Sequence, residues 1–339
     1  PFALTTGRLR DHWHGMSRTG TLGRLFGHVA EPSVELNRGD MSRRGIAEGA
    51  LVRVSSRRGQ MVLPAQASES IAAGQAHIAM HWGEEFISGH DAEGRRLLGV
   101  NSLTLPTFCP SSKQPELKHS AVRIEVLDLP WQMVGLAWLP QAQALAVREA
   151  LKPLMGAFGY AVCVPFGREP HDQALAGVLW RAAALTPAGD QLLDQIEALL
   201  GLSNPNTLRY QDKRLGQRRA IRIDKDGQTQ TLRGVMLVGD TRAEAWIKTL
   251  LQDELPAQAY GRLLLSPGAQ APMAVVPKGK QVCTCFNVTE PQIIETLAGC
   301  SGSTDERLAQ LQGALKCGTN CGSCIPALRG LVKASIAAA

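Results

Sequence analysis

The sequence predicts a multidomain protein with a β-rich, barrel-like domain, then a small α+β domain, then a small all-α module that binds a metal centre. Three observations support this interpretation. Short strand patterns with tight glycine turns fill the first third of the chain. Strand-like and helix-like segments alternate in the middle. Two close cysteine pairs lie near the C-terminus. The predicted domains are residues 1–128, 129–276 and 277–339.

The first third contains the clearest strand patterns. Residues 51–56 form a predicted strand, which turns at residues 57–59 into a second one. Residues 74–80 and 121–126 form two more, and residues 39–46 are helix-like. Short strands joined by tight turns favour a barrel.

The middle third alternates between the two kinds of secondary structure. No Gly-x-Gly-x-x-Gly motif follows a strand there, so we predict neither a bound flavin nor a bound nicotinamide. The run 232–246 resembles the small C-terminal domain of nitrite-reductase-type flavoprotein reductases. The predicted elements are strands at 134–139 and 160–165, helices at 141–158, 173–184, 190–200 and 241–251, and a hairpin over 207–240.

Composition excludes several classes of protein. The net charge of +6 is spread as an excess of two positive charges in each predicted domain, without a basic block, so we expect no nucleic-acid partner. No apolar run is long enough to span a membrane. Cysteines without a disulfide pattern favour a reducing compartment, the cytoplasm. The chain begins at Pro1 rather than methionine, and we therefore expect it to be part of a longer polypeptide.

The two cysteine pairs predict a metal site. The motifs are Cys283-Thr-Cys285 and Cys321-Gly-Ser-Cys324, and a helix that begins near Ile325 would point its positive end at the second pair. Zinc ribbons usually repeat Cys-x-x-Cys at both ends, which favours an iron–sulfur cluster here, with structural zinc as the alternative. Capping boxes at 289–292 and 303–306 predict helices between the pairs.

Residues 277–339 resemble the bacterioferritin-associated-ferredoxin-like [2Fe-2S] domain, whose pattern is Cys-x-Cys, a long gap and Cys-x-x-Cys. The resemblance implies Cys283, Cys285, Cys321 and Cys324 as cluster ligands. Cys317 lies four residues before Cys321, so an exchange of these two ligands stays open. We expect the remaining thiols to be spectators: Cys109, Cys163 and Cys300.

A polar loop lies near the start of the chain. Residues 5–8 and 12–20 combine hydroxyls, glycines, imidazoles and guanidiniums, which suit a phosphate or a heterocycle, and seven of the eight histidines precede residue 120. Residues 1–128 resemble the molybdopterin-dinucleotide-binding domain of the DMSO-reductase superfamily, through Thr-Gly-Arg at 6–8, His-Trp-His at 12–14 and Asn-x-Leu-Thr at 101–104. That family implies a double-psi β-barrel. It also implies seven cofactor contacts: Thr6, Gly7, Arg8, His12, His14, Asn101 and Lys118.

Together the three parts resemble the C-terminal part of a bacterial assimilatory nitrate reductase catalytic subunit. The resemblance implies a molybdenum bis(molybdopterin guanine dinucleotide) cofactor, a [2Fe-2S] relay and a [4Fe-4S] cluster in the part of the protein before Pro1. It also implies nitrate as substrate and an NADH-dependent flavoprotein, ferredoxin or flavodoxin as electron donor. We predict no catalytic side chain within this chain. The alternatives are another molybdopterin oxidoreductase such as formate dehydrogenase, and a zinc-stabilised binding module without enzymatic activity.

Overall fold

The protein consists of a closed β-barrel, a large antiparallel sheet covered by helices, and a small helical module. The structure is a computed structural model. It describes residues 1–116, 119–167, 174–226, 229–266, 268, 270–271 and 273–337.

The barrel forms from strands within the first 126 residues. Its strand order is β1-β5-β2-β4-β3-β7, and β7 closes the barrel by pairing with β1. The pairs β1–β5 and β2–β4 are parallel, and the other pairs are antiparallel. Alternate residues of β1 point into the core, as expected for a half-buried strand. The elements of this region are Phe2–Gly7 (β1), Val34–Asn37 (β2), Arg38–Arg43 (α1), Leu51–Ser55 (β3), Gln60–Ser68 (β4), Gln75–Ala79 (β5), Ile87–Ser88 (β6) and Ser120–Val126 (β7), with short 3-10 helices at Gly23–Phe26 and Val100–Ser102.

The middle of the chain forms an antiparallel sheet of seven strands in the order β11-β12-β13-β8-β10-β9-β6. Its edge strand β6 belongs to the barrel region of the sequence, so the two parts share backbone hydrogen bonds. The elements are Trp131–Pro140 (β8), Gln141–Leu151 (α2), Tyr160–Phe166 (β9), Leu175–Ala184 (β10), Asp190–Leu199 (α3), Thr207–Asp212 (β11), Gln217–Asp226 (β12), Thr229–Val238 (β13) and Glu244–Gln252 (α4), with 3-10 helices at Lys152–Ala157 and Gly261–Leu265.

The predicted helix over 173–184 is wrong, because Leu175–Ala184 is the strand β10. It pairs with β8 on one side and with β9 on the other. Four consecutive residues of this strand, 177–180, are buried. A strand covered on both faces loses the alternation that identifies strands in a sequence, which explains the error.

The two faces of the sheet are covered differently. Helices α2 and α3 pack on one face around a core that includes Trp180 and Met236. On the other face, helix α4 and the barrel form one continuous hydrophobic core, which extends from Phe2 to Leu264. The barrel and the sheet therefore pack as one body, although the predicted boundary at residue 128 divides them in sequence.

A group of buried charges also joins the barrel to the sheet. Arg181 on β10 contacts Glu31 of the barrel at 2.6 Å and donates to Glu244 of α4 at 2.8 Å. Lys248 contacts the same Glu31 at 3.1 Å. Burial alone would raise the pKa of Glu31, but the positive charges of Arg181 and Lys248 outweigh it and lower that pKa to about 2. Glu31 and Arg181 are therefore both charged at neutral pH.

The C-terminal module has a hydrophobic core of its own, with Ile293, Leu311 and Leu328 at its centre. Both predicted capping boxes are present, at Thr289 and Ser303, and each starts a helix. The expectation of an all-α module needs one correction, because a short antiparallel pair precedes the helices. Within the described ranges of the chain, no helix is long and apolar enough to cross a membrane. The elements are Gln281–Cys283 (β14), Val288–Thr289 (β15), Glu290–Ala298 (α5), Thr304–Leu315 (α6) and Ile325–Ala337 (α7).

We predict that Arg181→Ala lowers the free energy of unfolding by about 3 kcal/mol, because it leaves the carboxylates of Glu31 and Glu244 buried without their main partner. Chemical denaturation followed by circular dichroism measures this change. Arg38→Ala is the matched control, since its ion pair with Glu69 is solvent-exposed, and it should leave the unfolding midpoint unchanged. Equal midpoints for both variants would contradict the role of the buried charges.

Candidate functional site: four thiols beside a polar loop

The cysteines assigned to the cluster come together at one end of the module. Cys283 is the last residue of β14, and Cys285 lies in the turn that follows. Cys321 and Cys324 precede α7, which begins at Ile325 as the sequence predicts. The thiols of Cys283 and Cys324 are buried, whereas Cys321 is exposed.

The four thiols lie in two pairs, each with one sulfur from either motif. The Sγ atoms of Cys285 and Cys321 are 3.3 Å apart. The side chains of Cys283 and Cys324 hydrogen-bond to each other. Among the described residues, no group of three or more His, Cys, Asp or Glu side chains is arranged to hold a single metal ion.

The environments of the thiols differ. Burial raises the pKa of Cys324 to about 12. In contrast, hydrogen bonding to Ser323, first through its hydroxyl and then through its backbone, lowers the pKa of Cys321. A buried thiol becomes a thiolate only when a cation or a cluster compensates the charge, so this end of the module suits a metal centre.

The other cysteines have separate positions. Cys317 is fully buried in the core of the module and close enough to Cys324 to raise its pKa. The exchange of Cys317 for Cys321 therefore stays open. Cys300 donates its thiol hydrogen to the carbonyl of Thr296 at 3.3 Å. Two more lie outside the module, Cys163 in the buried sheet and Cys109 in a loop of the barrel region.

The polar loop begins where β1 ends, directly after Gly7. Arg8 lies over the Trp13 ring, with 5.0 Å from its guanidinium carbon to the ring centroid. Its Nη2 also donates to the carbonyl of His12 at 3.4 Å. Thr6 is buried on the strand itself. The predicted contacts at 6–8, 12 and 14 are therefore on one short stretch that ends a barrel strand.

His12 has an unusual environment within this loop. It is 3% exposed, its Nδ1 hydrogen-bonds to Thr19 at 3.2 Å, and its ring packs edge-on against Phe26. Burial, followed by the neighbouring His81, lowers its pKa to about 4, so the ring is neutral at pH 7. Its Nε2 is buried without a hydrogen-bond partner among the described residues. A buried nitrogen of this kind suits a ligand that hydrogen-bonds to it.

His81 holds the loop in place, although no motif in the sequence predicts this role. Its Nε2 accepts from the backbone N–H of Leu9 at 2.9 Å. Its Nδ1 contacts the carbonyl oxygen of His14, which has a positive φ of 25°. Because Nε2 accepts, Nδ1 carries the proton and donates to His14. The surplus of histidines in the first third was the only signal in the sequence.

Asn101 lies in the 3-10 helix Val100–Ser102 and is exposed. The helix is tied to the segment that carries His81, since the backbone N–H of Val100 donates to the carbonyl of Trp82 at 3.1 Å. The helix that carries Asn101 is thus bonded to Trp82, the residue next to the histidine that holds the loop. The predicted contact Lys118 lies outside the described residues.

The polar loop also touches the cysteine module. Arg10 donates to the carbonyl of Val282 at 3.2 Å, and the Thr284 hydroxyl donates to Asp11 at 3.4 Å. Val282 and Thr284 are the chain neighbours of Cys283. The two candidate sites, predicted from opposite ends of the sequence, are therefore adjacent in space.

Two family models match the chain in these regions. Residues 2–121 match the Molydopterin dinucleotide binding domain, and residues 281–334 match the BFD-like [2Fe-2S] binding domain. The first match contains the polar loop, and the second contains all four paired cysteines.

Several curated proteins are similar to the chain. A nitrate reductase of Klebsiella oxytoca is 31% identical over 100% of this chain and 34% of its own length. A nitrate reductase of Synechocystis is 43% identical over 37% of this chain and 16% of its own length. The F420-dependent formate dehydrogenase 2 subunit alpha of Methanococcus maripaludis is 33% identical over 37% of this chain and 17% of its own length.

These proportions show that the chain spans about a third, or less, of the length of these relatives. The nitrate reductase match extends over the whole chain, whereas the formate dehydrogenase match is confined to about a third of it. The chain therefore contains a molybdopterin dinucleotide-binding domain and a BFD-like [2Fe-2S] binding domain, and along its whole length it is a homologue of nitrate reductases.

Proposed function

We propose that the chain is part of a cytoplasmic, molybdenum-dependent assimilatory nitrate reductase. In this proposal it holds part of a molybdenum bis(molybdopterin guanine dinucleotide) cofactor and a [2Fe-2S] electron relay. The observation that carries the proposal is the similarity to a nitrate reductase over the whole chain, through both domains and the sheet between them. Formate dehydrogenase is the weaker alternative, because its match covers only 37% of the chain.

The molybdenum centre supplies the two-electron reduction of nitrate to nitrite. The part of the enzyme described here binds and positions rather than performs the bond-breaking step, so we assign no catalytic side chain to it. We place the molybdenum-ligating residue and a [4Fe-4S] cluster in the portion of the relatives that this chain does not cover. An NADH-dependent flavoprotein, a ferredoxin or a flavodoxin would supply electrons to the cluster that the four cysteines would hold.

The barrel supports the assignment of the dinucleotide. In its strand order, the connections from β1 to β2, from β2 to β3 and from β4 to β5 each pass over one strand that lies between. We propose that this is the double-psi barrel that the superfamily resemblance implies. We also propose the domain boundaries 1–128, 129–276 and 277–339. The dinucleotide would contact the 6–14 loop, Asn101 and Lys118. The unpartnered Nε2 of His12 and the guanidinium of Arg8 offer it complementary donors and acceptors.

The cysteine pairs support a two-iron cluster. A [2Fe-2S] cluster takes two protein thiolates on each iron, and the thiols form two pairs. A structural zinc ion instead needs four ligands around one point. We therefore propose Cys283, Cys285, Cys321 and Cys324 as the cluster ligands.

The substrate assignment is tested with the full-length enzyme. We expect it to reduce nitrate with a chemically reduced viologen dye as electron donor, and to show no oxidation of formate above background with an oxidised dye. Molybdenum content, measured in the same preparation, confirms that the enzyme carries its cofactor. Formate oxidation without nitrate reduction would support the alternative instead.

The ligand assignment predicts different effects for different cysteines. Cys283→Ser and Cys324→Ser should abolish the electron paramagnetic resonance signal of the reduced [2Fe-2S] cluster and the iron that accompanies it. Cys300→Ser is the matched control within the module, since a serine hydroxyl can keep the hydrogen bond to Thr296, and it should leave the signal intact. Loss of the signal in Cys317→Ser but not in Cys321→Ser would show that Cys317 is the ligand in place of Cys321. A colourless module containing zinc would refute the cluster.

The dinucleotide site predicts the behaviour of two side chains. Arg8→Ala and Asn101→Ala in the intact enzyme should each lower molybdenum occupancy several-fold, because each removes a contact to the cofactor. Elemental analysis of molybdenum per protein measures this. Arg123→Ala is the control, as its ion pair with Glu125 lies on β7, and its side chain is 75% exposed. Unchanged occupancy in both test variants would contradict the assigned loop.

A further inference from the structure

The contact between the polar loop and the cysteine module is made by a pair of oppositely charged residues. Arg10 and Asp11 contact each other at 3.2 Å. Arg10 then donates to Val282, and Asp11 accepts from Thr284, on the two sides of Cys283. The Asp11 side chain is only 8% exposed, so this contact is shielded from solvent.

Close packing accompanies these polar contacts. Gly27 of the barrel region faces Gln281, the first residue of β14, so closely that a methyl group on Gly27 would overlap the Gln281 side-chain oxygen. Gln281 is 2% exposed and donates to Asn287 at 2.9 Å, which fixes its position. The strand that ends in Cys283 therefore packs directly on the barrel.

The two charges lie close to the thiols. Arg10 bonds to Val282 and Asp11 bonds to Thr284, the residues directly before and after Cys283. Both charges are thus near enough to influence the sulfur atoms electrostatically.

We propose that Arg10 and Asp11 are positioning residues, which hold the module on the polar loop and shift the reduction potential of its cluster in opposite directions. This inference rests on the proposed function, since it takes the paired cysteines as ligands of a [2Fe-2S] cluster. Reduction adds one electron, and therefore one negative charge, to the cluster. A nearby carboxylate disfavours that charge, whereas a nearby guanidinium favours it.

The test is a potentiometric titration of the full-length enzyme with dithionite as reductant. The cluster is followed by its electron paramagnetic resonance signal, identified by the loss of that signal in Cys324→Ser. Asp11→Asn should raise the potential, and Arg10→Gln should lower it. We expect each substitution to change the ratio of reduced to oxidised cluster about threefold at a fixed solution potential. Because a tenfold change in this ratio corresponds to about 59 mV, the reduction potential shifts by about 30 mV.

Asp305→Asn is the matched charge control, because Asp305 belongs to the same module, but its side chain is 85% exposed and contacts Arg329. It should leave the potential unchanged. Absence of any [2Fe-2S] signal in the unsubstituted enzyme would refute the proposed function itself. A normal signal whose potential moves in neither Asp11→Asn nor Arg10→Gln would overturn only the present inference.

A steric variant tests whether the contact itself is required. Gly27 has φ −67° and ψ −25°, which alanine adopts readily, so Gly27→Ala acts through its overlap with Gln281. In that background the shift caused by Asp11→Asn should shrink, because the module is displaced from the loop. Gly189→Ala is the control, with φ −69° and open space around it, and it should preserve the full shift. If Asp11→Asn shifted the reduction potential fully in the Gly27→Ala variant, the contact between the module and the loop would not be required for the effect of Asp11.

Discussion

The hydrogen bonds of a single imidazole hold the loop on which both candidate sites depend. His81 accepts from Leu9 at one end of the loop and donates to His14 at the other. Between these two points lie Arg10 and Asp11, which contact the cysteine module, and His12, which is assigned to the dinucleotide. The loop makes backbone hydrogen bonds of its own, from His12 to Leu9 and from Met16 to Trp13, and His81 satisfies two further backbone groups. The neutral ring serves this purpose only in the tautomer with its proton on Nδ1.

The rigid support for this loop comes from packing between parts that the sequence separates. The barrel and one face of the sheet share a single core, and buried charges around Arg181 cross the same boundary. The cysteine module differs, because it has a core of its own and meets the barrel through a small set of contacts. Its position relative to the polar loop therefore depends on a few side chains, whereas the position of the barrel on the sheet depends on many.

The sequence predicts those features that local chemistry determines. The capping boxes at Thr289 and Ser303, the start of α7 after Cys324 and the barrel strands β3, β4, β5 and β7 all follow from patterns a few residues long, whereas β1 and β2 do not. Strand β10 was missed because burial on both faces removes alternation, and the pair β14–β15 is too short to produce a strand pattern. Tertiary packing determines both, and a local pattern contains no information about it.

The site shows the same division between local and tertiary information. Spacing identifies the two cysteine pairs and the family resemblance implies that they are ligands, yet their arrangement as two mixed pairs depends on how β14 meets the turn before α7. Likewise, the polar loop can be identified from its composition, but only the fold shows that His81 supports it. The contact of Arg10 with Val282 joins residues that are 272 positions apart. Because residues of both candidate sites share one short loop, a displacement of its backbone affects the dinucleotide side and the cluster side together.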